Sequence, residues 1–212
     1  TMAKNTSRQA IEKRIEKALQ CLEEGDMEDA VFNIAPIIDV VAKERYKDKK
    51  RVGDRIKDFI FDEQHLIYYL STQGKISLPE GIRIVLANHE DVDNPVGNHG
   101  GELSDFIYHN IRCAQTHDAE IDYDLIDFGR NFGIGRQKFE GDGGELASGV
   151  FIISSATILA LILSVICAPE NRKISLPGNI TLYKKIQLDK NKLVGNKGYL
   201  MTMLRLLFEV DS

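Results

Sequence analysis

The feature that most constrains the fold is an uncharged segment, residues 149–168, in an otherwise charged chain. Its length is close to the ~20 residues that cross a bilayer, and a helix that is apolar all round lies either in a membrane or in a protein core. Three serines and a threonine interrupt the apolar residues, and the sequence offers no second candidate span. We therefore favour a central buried helix closed by Pro169, with a membrane helix as the alternative.

Three segments near the N-terminus have apolar residues at helical spacing, which predicts three amphipathic helices. The first covers residues 8–24, with Ser7 as its N-cap and Gly25 as its end. Because short loops join the segments, we expect an antiparallel helical bundle. Residues 1–7 are predicted to be a disordered N-terminus, and residues 8–212 a single domain.

The next two helices have boundary signals of their own. Asp26, with a second aspartate three residues on, resembles a capping box that opens the second helix, and this helix should kink near Pro36. The third helix is predicted over residues 54–72 and stops at Gly74. We interpret the charged run at residues 43–51 as a solvated face over the turn rather than as a binding patch.

Short extended segments are predicted elsewhere. The pentapeptide Lys-Ile-Ser-Leu-Pro occurs at residues 75–79 and again at 173–177, each time before alternating apolar residues. Two copies do not define a repeat, so we favour coincidence, with pairing of the two segments as the alternative. A β-hairpin is predicted over residues 121–134 and a last helix over residues 198–210.

Two segments suggest a ligand site but lack the required spacing. In the glycine-rich residues 133–149, Lys138 stands where a dinucleotide fingerprint needs its last glycine, and the sequence has no Walker-type Gly-Lys-Ser/Thr. Residues 87–102 match no recognised metal-ligand spacing, so we interpret them as a solvated loop. The candidate ligands there are Asn88, His89, Glu90, Asp91, Asp93, His99 and Glu102. We expect neither a metal nor a cofactor.

Residues 103–118 are the best candidate for function. Ser104 can cap a helix, and a buried stripe at helical spacing follows it, formed by Ile107, Ile111 and Ala114. Arg112 and His117 lie off this stripe. An arginine and a histidine near a common point can perform phosphate chemistry, since the arginine neutralises charge and the histidine moves protons.

The segment 106–117, Phe-Ile-Tyr-His-Asn-Ile-Arg-Cys-Ala-Gln-Thr-His, resembles the HEPN superfamily, whose defining element is an Arg-x4-6-His motif on a helix of an α-helical bundle. Residues 25–30, the stretch on to Tyr46, and residues 55–59 are similar to the N-terminal helices of such bundles. The resemblance covers most of residues 8–170, with specific residues only in 104–118.

The resemblance implies a metal-independent endoribonuclease of a defence or toxin type. HEPN ribonucleases act as dimers whose motifs face one cleft, and the ribose 2′-hydroxyl attacks the neighbouring phosphate. On this chain His117 would transfer protons and Arg112 would hold the phosphate. Five residues turn an ideal helix by about 140° beyond a full turn, so the two side chains converge only if the helix ends or turns near Thr116.

Other residues of the same helix leave alternatives open. His109 and Asp105 lie on about the same face as Arg112, where they could orient the guanidinium or bind substrate, or form an ordinary exposed face. Arg112 could instead form a structural pair with Asp105 or Asp118. Cys113 stands where active HEPN nucleases often have a polar residue, and we interpret it as a core residue. The alternative function is therefore a non-catalytic HEPN-fold interaction or regulatory protein.

Charge and cysteine usage bound the setting and the partners. The net charge of −5 argues against a large non-specific nucleic-acid surface, which would need a basic face. The three cysteines show no CxxC spacing, which fits a reduced, cytoplasmic setting. The partners we expect are a second copy in a homodimer, RNA, and an antitoxin or other protein. We do not expect a membrane partner.

Overall fold

The computed structural model describes residues 2–71, 74, 104, 107–108, 126–127, 135–136, 151–152 and 155–209. Over these residues the chain is mainly helical, as predicted. The helices are α1 (Met2–Glu24), α2 (Met27–Arg45), α3 (Val52–Ser71), α4 (Ser155–Cys167), a 3-10 turn (Pro169–Asn171), α5 (Lys190–Leu193) and α6 (Lys197–Glu209). The strands are β1 (Ile126–Asp127), β2 (Gly135–Arg136), β3 (Phe151–Ile152), β4 (Asn179–Leu182) and β5 (Ile186–Asp189).

The first two helices meet at a turn that the sequence predicts. Gly25 has a φ of +84°, a conformation that glycine adopts without strain, and it ends α1. The Asp26 carboxylate then accepts a hydrogen bond of 3.1 Å from the Asp29 backbone N–H and caps α2. α1 itself begins at Met2, earlier than the predicted start at residue 8, so the backbone of residues 2–7 is helical.

α3 ends where α6 crosses it. The Gly74 N–H donates a 2.8 Å hydrogen bond to the Tyr69 carbonyl, and Gly74 has a φ of +77°. A Cβ on Gly74 would lie 2.5 Å from Cβ of Phe208 on α6. The predicted stop at Gly74 is confirmed, and the close approach of α6 gives this position a second reason for lacking a side chain.

α4 is the centre of the core. Its side chains from residue 156 to residue 167 are buried except that of Leu159, and α1, α2, α3, α5 and α6 pack around it. The prediction of a central buried helix within residues 149–168 is confirmed, although Phe151–Ile152 forms a strand before it. At 13 residues, the helix is about 20 Å long, well short of a ~30 Å hydrocarbon layer. Within the described ranges, we find no helix with the length and apolar character to span a membrane.

The strands β1, β2 and β3 form one three-stranded sheet. β3 lies between β1 and β2, and it runs parallel to β1 and antiparallel to β2. Over the described strand residues, therefore, β1 and β2 do not pair with each other. The predicted return of the hairpin through Phe132 and Ile134 lies outside the described residues, so the hairpin over residues 121–134 stays a prediction. The sequence did not indicate β3, because this strand lies within the uncharged segment that predicts a helix.

The second Lys-Ile-Ser-Leu-Pro copy leads into a hairpin at the C-terminal side of the fold. Ile180 and Leu182 of β4 are buried, as their alternation predicts, and β4 pairs antiparallel with β5. The tight turn between the strands places Tyr183 and Lys184 at φ values of 51° and 57°. Neither residue is the glycine or asparagine that usually marks such a turn, so the sequence did not reveal β5. The first copy, residues 75–79, lies outside the described residues.

Candidate functional site

The four predicted site residues, Asp105, His109, Arg112 and His117, lie outside the residues that the structure describes. Their convergence, and the alternative pairing of Arg112 with an aspartate, therefore stay predictions. The structure does describe three residues at the start of the same segment, Ser104, Ile107 and Tyr108, and all three have helical backbone conformation. These residues show how the start of the segment is placed.

Ile107 anchors the segment to the hydrophobic core. Its side chain is 2% exposed and belongs to the same cluster as α4 and the inner faces of α1, α2 and α3. Its burial is the outcome that the helical spacing of the stripe predicts. Burying an isoleucine stabilises a fold by roughly 1.5–3 kcal/mol, so this contact resists release of the segment.

Tyr108 lies against the first two turns of α3. A Cβ on Gly53 would come within 2.9 Å of the Tyr108 ring carbon Cζ and of its hydroxyl oxygen, so glycine makes room for the phenol. The Lys57 ammonium lies 5.5 Å from the centre of the same ring, within the range of a cation–π contact. Sequence reasoning did not identify this contact, since nothing near Gly53 in the chain indicates a tyrosine partner.

The largest polar cluster described joins four elements around Arg45, at the end of α2. The guanidinium binds Glu170 through Nε and Nη2, both at 3.1 Å, and Glu63 through Nη1 at 3.1 Å. Lys197 of α6 binds the other Glu63 oxygen at 2.7 Å. Burial lowers the pKa of Arg45, but the hydrogen bonds to the two carboxylates outweigh it and raise that pKa above its usual range.

Cys167, the last residue of α4, lies close enough to this cluster for the charges of Glu63 and Lys197 to change the pKa of its thiol. The pKa of its thiol is raised to about 12, mainly by burial and to a smaller extent by the Glu63 carboxylate, while the Lys197 ammonium opposes the shift. A thiol with this pKa is protonated at neutral pH, so Cys167 is not a nucleophile.

Among the residues that the structure describes, two basic side chains are buried, and both bind oxygen atoms of this chain: Arg55 and Lys190. Arg55 donates from Nη1 to the carbonyls of Lys49 and Lys50, both at 3.0 Å, which holds the loop before α3. The Lys190 ammonium binds both carboxylate oxygens of Glu16 at 2.7 Å and ties α5, which directly follows β5, to α1. These bonds fit a role in the fold, because each basic group is already occupied by an oxygen of the same chain.

The run 43–51 is exposed as predicted except at Arg45 and Tyr46, which are half-buried, and two of its lysines form ion pairs with nearby carboxylates. Lys47 lies 3.2 Å from Glu44, and Lys49 pairs with Asp58 on α3. Exposed pairs of this kind contribute about 0–1 kcal/mol. Across the residues that the structure describes, no group of three or more histidine, cysteine, aspartate or glutamate side chains could hold a metal ion. The candidate ligands in residues 87–102 lie outside that set.

Comparison with known proteins matches a family model to most of the chain. Neither the curated proteins nor the solved structures contain a match to this chain. A family model described as Rv1289 matches residues 10–203, from the first turns of α1 into α6. The match covers both the helices that form the core and the motif segment between them, and the chain belongs to the Rv1289 family.

Proposed function

We propose that this chain is a metal-independent endoribonuclease of the HEPN type, defence- or toxin-like, which acts as a homodimer with Arg112 and His117 as its catalytic pair. The observation that supports the proposal best is that Ile107 is buried in the core and that Tyr108 packs against α3. An Arg-x4-His motif needs a helix that is anchored on one side and free on the other. The described start of the segment has an anchored side.

The anchored residues also favour an outward position for the arginine. On a helix that continues from Tyr108, residue 112 lies about 140° from Ile107 and about 40° from Tyr108. The arginine side chain would then leave the core on the side of Tyr108 and could reach a phosphate. His117 would converge with it where the predicted helix ends.

The proposed reaction is transesterification within RNA. His117 accepts the proton of a ribose 2′-hydroxyl while the 2′-oxygen attacks the adjacent phosphorus. The bond from phosphorus to the 5′-oxygen breaks, and that oxygen takes a proton from the second subunit's motif or from water. The products are a 2′,3′-cyclic phosphate and a 5′-hydroxyl. Arg112 stabilises the negative charge that grows on the phosphate oxygens.

The test uses purified chain, single-stranded RNA and EDTA. We expect cleavage with cyclic-phosphate or 3′-phosphate ends, and we expect His117→Ala and Arg112→Ala each to reduce the rate at least ~100-fold, the usual contribution of a positioned proton-transfer group. His65→Ala, a change of a histidine on α3, is the matched control and should retain the wild-type rate. Intact RNA at high protein concentration, or unchanged cleavage by His117→Ala, would contradict the proposal.

A second candidate is a non-catalytic interaction or regulatory protein with the same helical fold. The pairing of four cations with oxygens of the chain supports it, because these buried or half-buried groups are committed to the fold: Arg45, Arg55, Lys190 and Lys197. The acidic net charge of −5 has the same implication. An absence of cleavage together with stable capture of a protein partner would favour this candidate over the nuclease.

A further inference from the structure

α2 has an apolar side that the core does not cover. Phe32 is 54% exposed and Val40 is 45% exposed, and half-buried Pro36 lies between them. Residues four apart lie on the same side of a helix, so the three form one stripe. The opposite side of α2 is buried throughout, at Met27, Ala30, Val31, Ile34, Ala35, Ile37, Ile38, Val41 and Ala42.

Two opposite charges on the line of this stripe lie at equal distances from Pro36, and the neighbouring Glu44 is paired with Lys47. Phe32 and Val40 lie four residues before and after it, and Asp29 and Lys43 lie seven residues before and after it. Both charged side chains are exposed, and within the described part of the chain neither one forms an ion pair. The stripe is therefore acidic at its N-terminal end, apolar in the middle and basic at its C-terminal end.

We propose that this side of α2 packs antiparallel against α2 of a second copy, with a two-fold axis at Pro36. The axis brings Phe32 of one copy onto Val40 of the other and Asp29 onto Lys43, so each contact occurs twice. A parallel arrangement would instead place like charges together. A two-fold contact needs a self-complementary surface. This stripe is self-complementary because its apolar residues face apolar residues and its aspartate faces its lysine.

The contact does not rest on the proposed nuclease activity. It is formed by α2, whereas the proposed catalytic residues lie in residues 103–118. A dimer that persists in the Phe32→Asp variant would overturn this contact and leave the proposed homodimeric nuclease standing. Intact RNA, with a dimer that dissociates in Phe32→Asp, would overturn the nuclease and leave this contact standing.

The first test is the mass of the assembly by sedimentation over a range of protein concentrations. We expect wild type to associate, and Phe32→Asp to halve the mass of the assembly while the far-UV circular dichroism is unchanged. Leu206→Asp is the matched control, since Leu206 on α6 is 55% exposed and lies outside the stripe. A monomeric wild type, or equal effects of the two substitutions, would overturn the proposal.

The second test is a charge exchange that depends on the antiparallel register. Asp29→Lys alone and Lys43→Asp alone each place like charges opposite each other across the axis, so each should weaken association about tenfold. The double variant restores opposite charges at both contacts and should recover association to within about twofold of wild type. Additive losses in the double variant would rule out this register.

Discussion

The two helices α4 and α2 differ in how fully the core accounts for their apolar residues. Almost every side chain of α4 is buried, so the lack of charge in its sequence follows from its place at the centre of the fold. α2 buries one side equally well but leaves Phe32 and Val40 exposed. The comparison shows that burial within the fold accounts for the apolar residues of α4, whereas the apolar stripe of α2 is accounted for only by the contact proposed above.

The largest expected contrast comes from placing the same charge on each helix. Ile162 of α4 is fully buried, so Ile162→Asp would bury a carboxylate without a partner. The free-energy cost of this burial should exceed the ~5–15 kcal/mol by which a domain is stable to unfolding. Val40→Asp places the carboxylate in water and should change the free energy of unfolding by less than about 0.5 kcal/mol. Urea denaturation followed by circular dichroism measures both, at protein concentrations too low for self-association. A folded Ile162→Asp variant would contradict the central position of α4.

A smaller contrast is expected within α2 itself, between its inward and outward cations. Arg45→Ala removes both hydrogen bonds to Glu170 and leaves Glu63, which is only 4% exposed, with Lys197 as its remaining cation. Removing one partner of a buried pair should cost about 3 kcal/mol. Lys43→Ala, on the exposed stripe, should cost less than about 0.5 kcal/mol in the same denaturation experiment. Equal losses would mean that the Arg45 cluster is as solvated as the stripe.

The smallest expected effect is on thiol chemistry and its pH dependence. The folded pKa of Cys167, about 12, lies above the unfolded value of ~8.5. The thiol therefore contributes stability that is fully present below pH ~8.5 and is lost as the pH rises toward 12, because the unfolded chain releases its proton first. At pH 9 we expect iodoacetamide to label a Val40→Cys variant at residue 40 and to leave Cys167 unlabelled until urea is added.

The same expectation has an equilibrium measurement. The free energy of unfolding should fall less steeply between pH 9 and 11 in Cys167→Ala than in wild type, whatever the overall loss from the smaller side chain. Identical slopes would show that the thiol ionises as easily in the folded chain as in the unfolded one.

Some features of the predicted site follow from local sequence, and others depend on contacts between residues that are distant in the chain. The burial of Ile107 follows from helical spacing alone and is confirmed. The contact of Tyr108 with Gly53 and Lys57 joins residues more than fifty positions apart, and no pattern in either segment indicates it. The roles of Arg112 and His117 stay a prediction, because their chemistry depends on a distance that the sequence does not specify.

The sequence by itself determined the features that depend on neighbouring residues. Gly25 and Gly74 end helices, Asp26 caps one, Ile180 and Leu182 alternate into a strand, and the uncharged segment gives a buried helix. Each of these features arises from steric or hydrogen-bonding preferences within a few residues, or from the period of the apolar side chains, and both can be read along the chain.

Only the tertiary structure decided which distant groups meet. It places Arg45 on Glu170 and Lys190 on Glu16, inserts β3 between β1 and β2, and forms the β4–β5 turn without glycine. The physical reason is that a charge or a strand edge accepts many partners of similar intrinsic energy. The packing of α1, α2, α3 and α6 around α4 selects one partner by bringing it within a few ångströms.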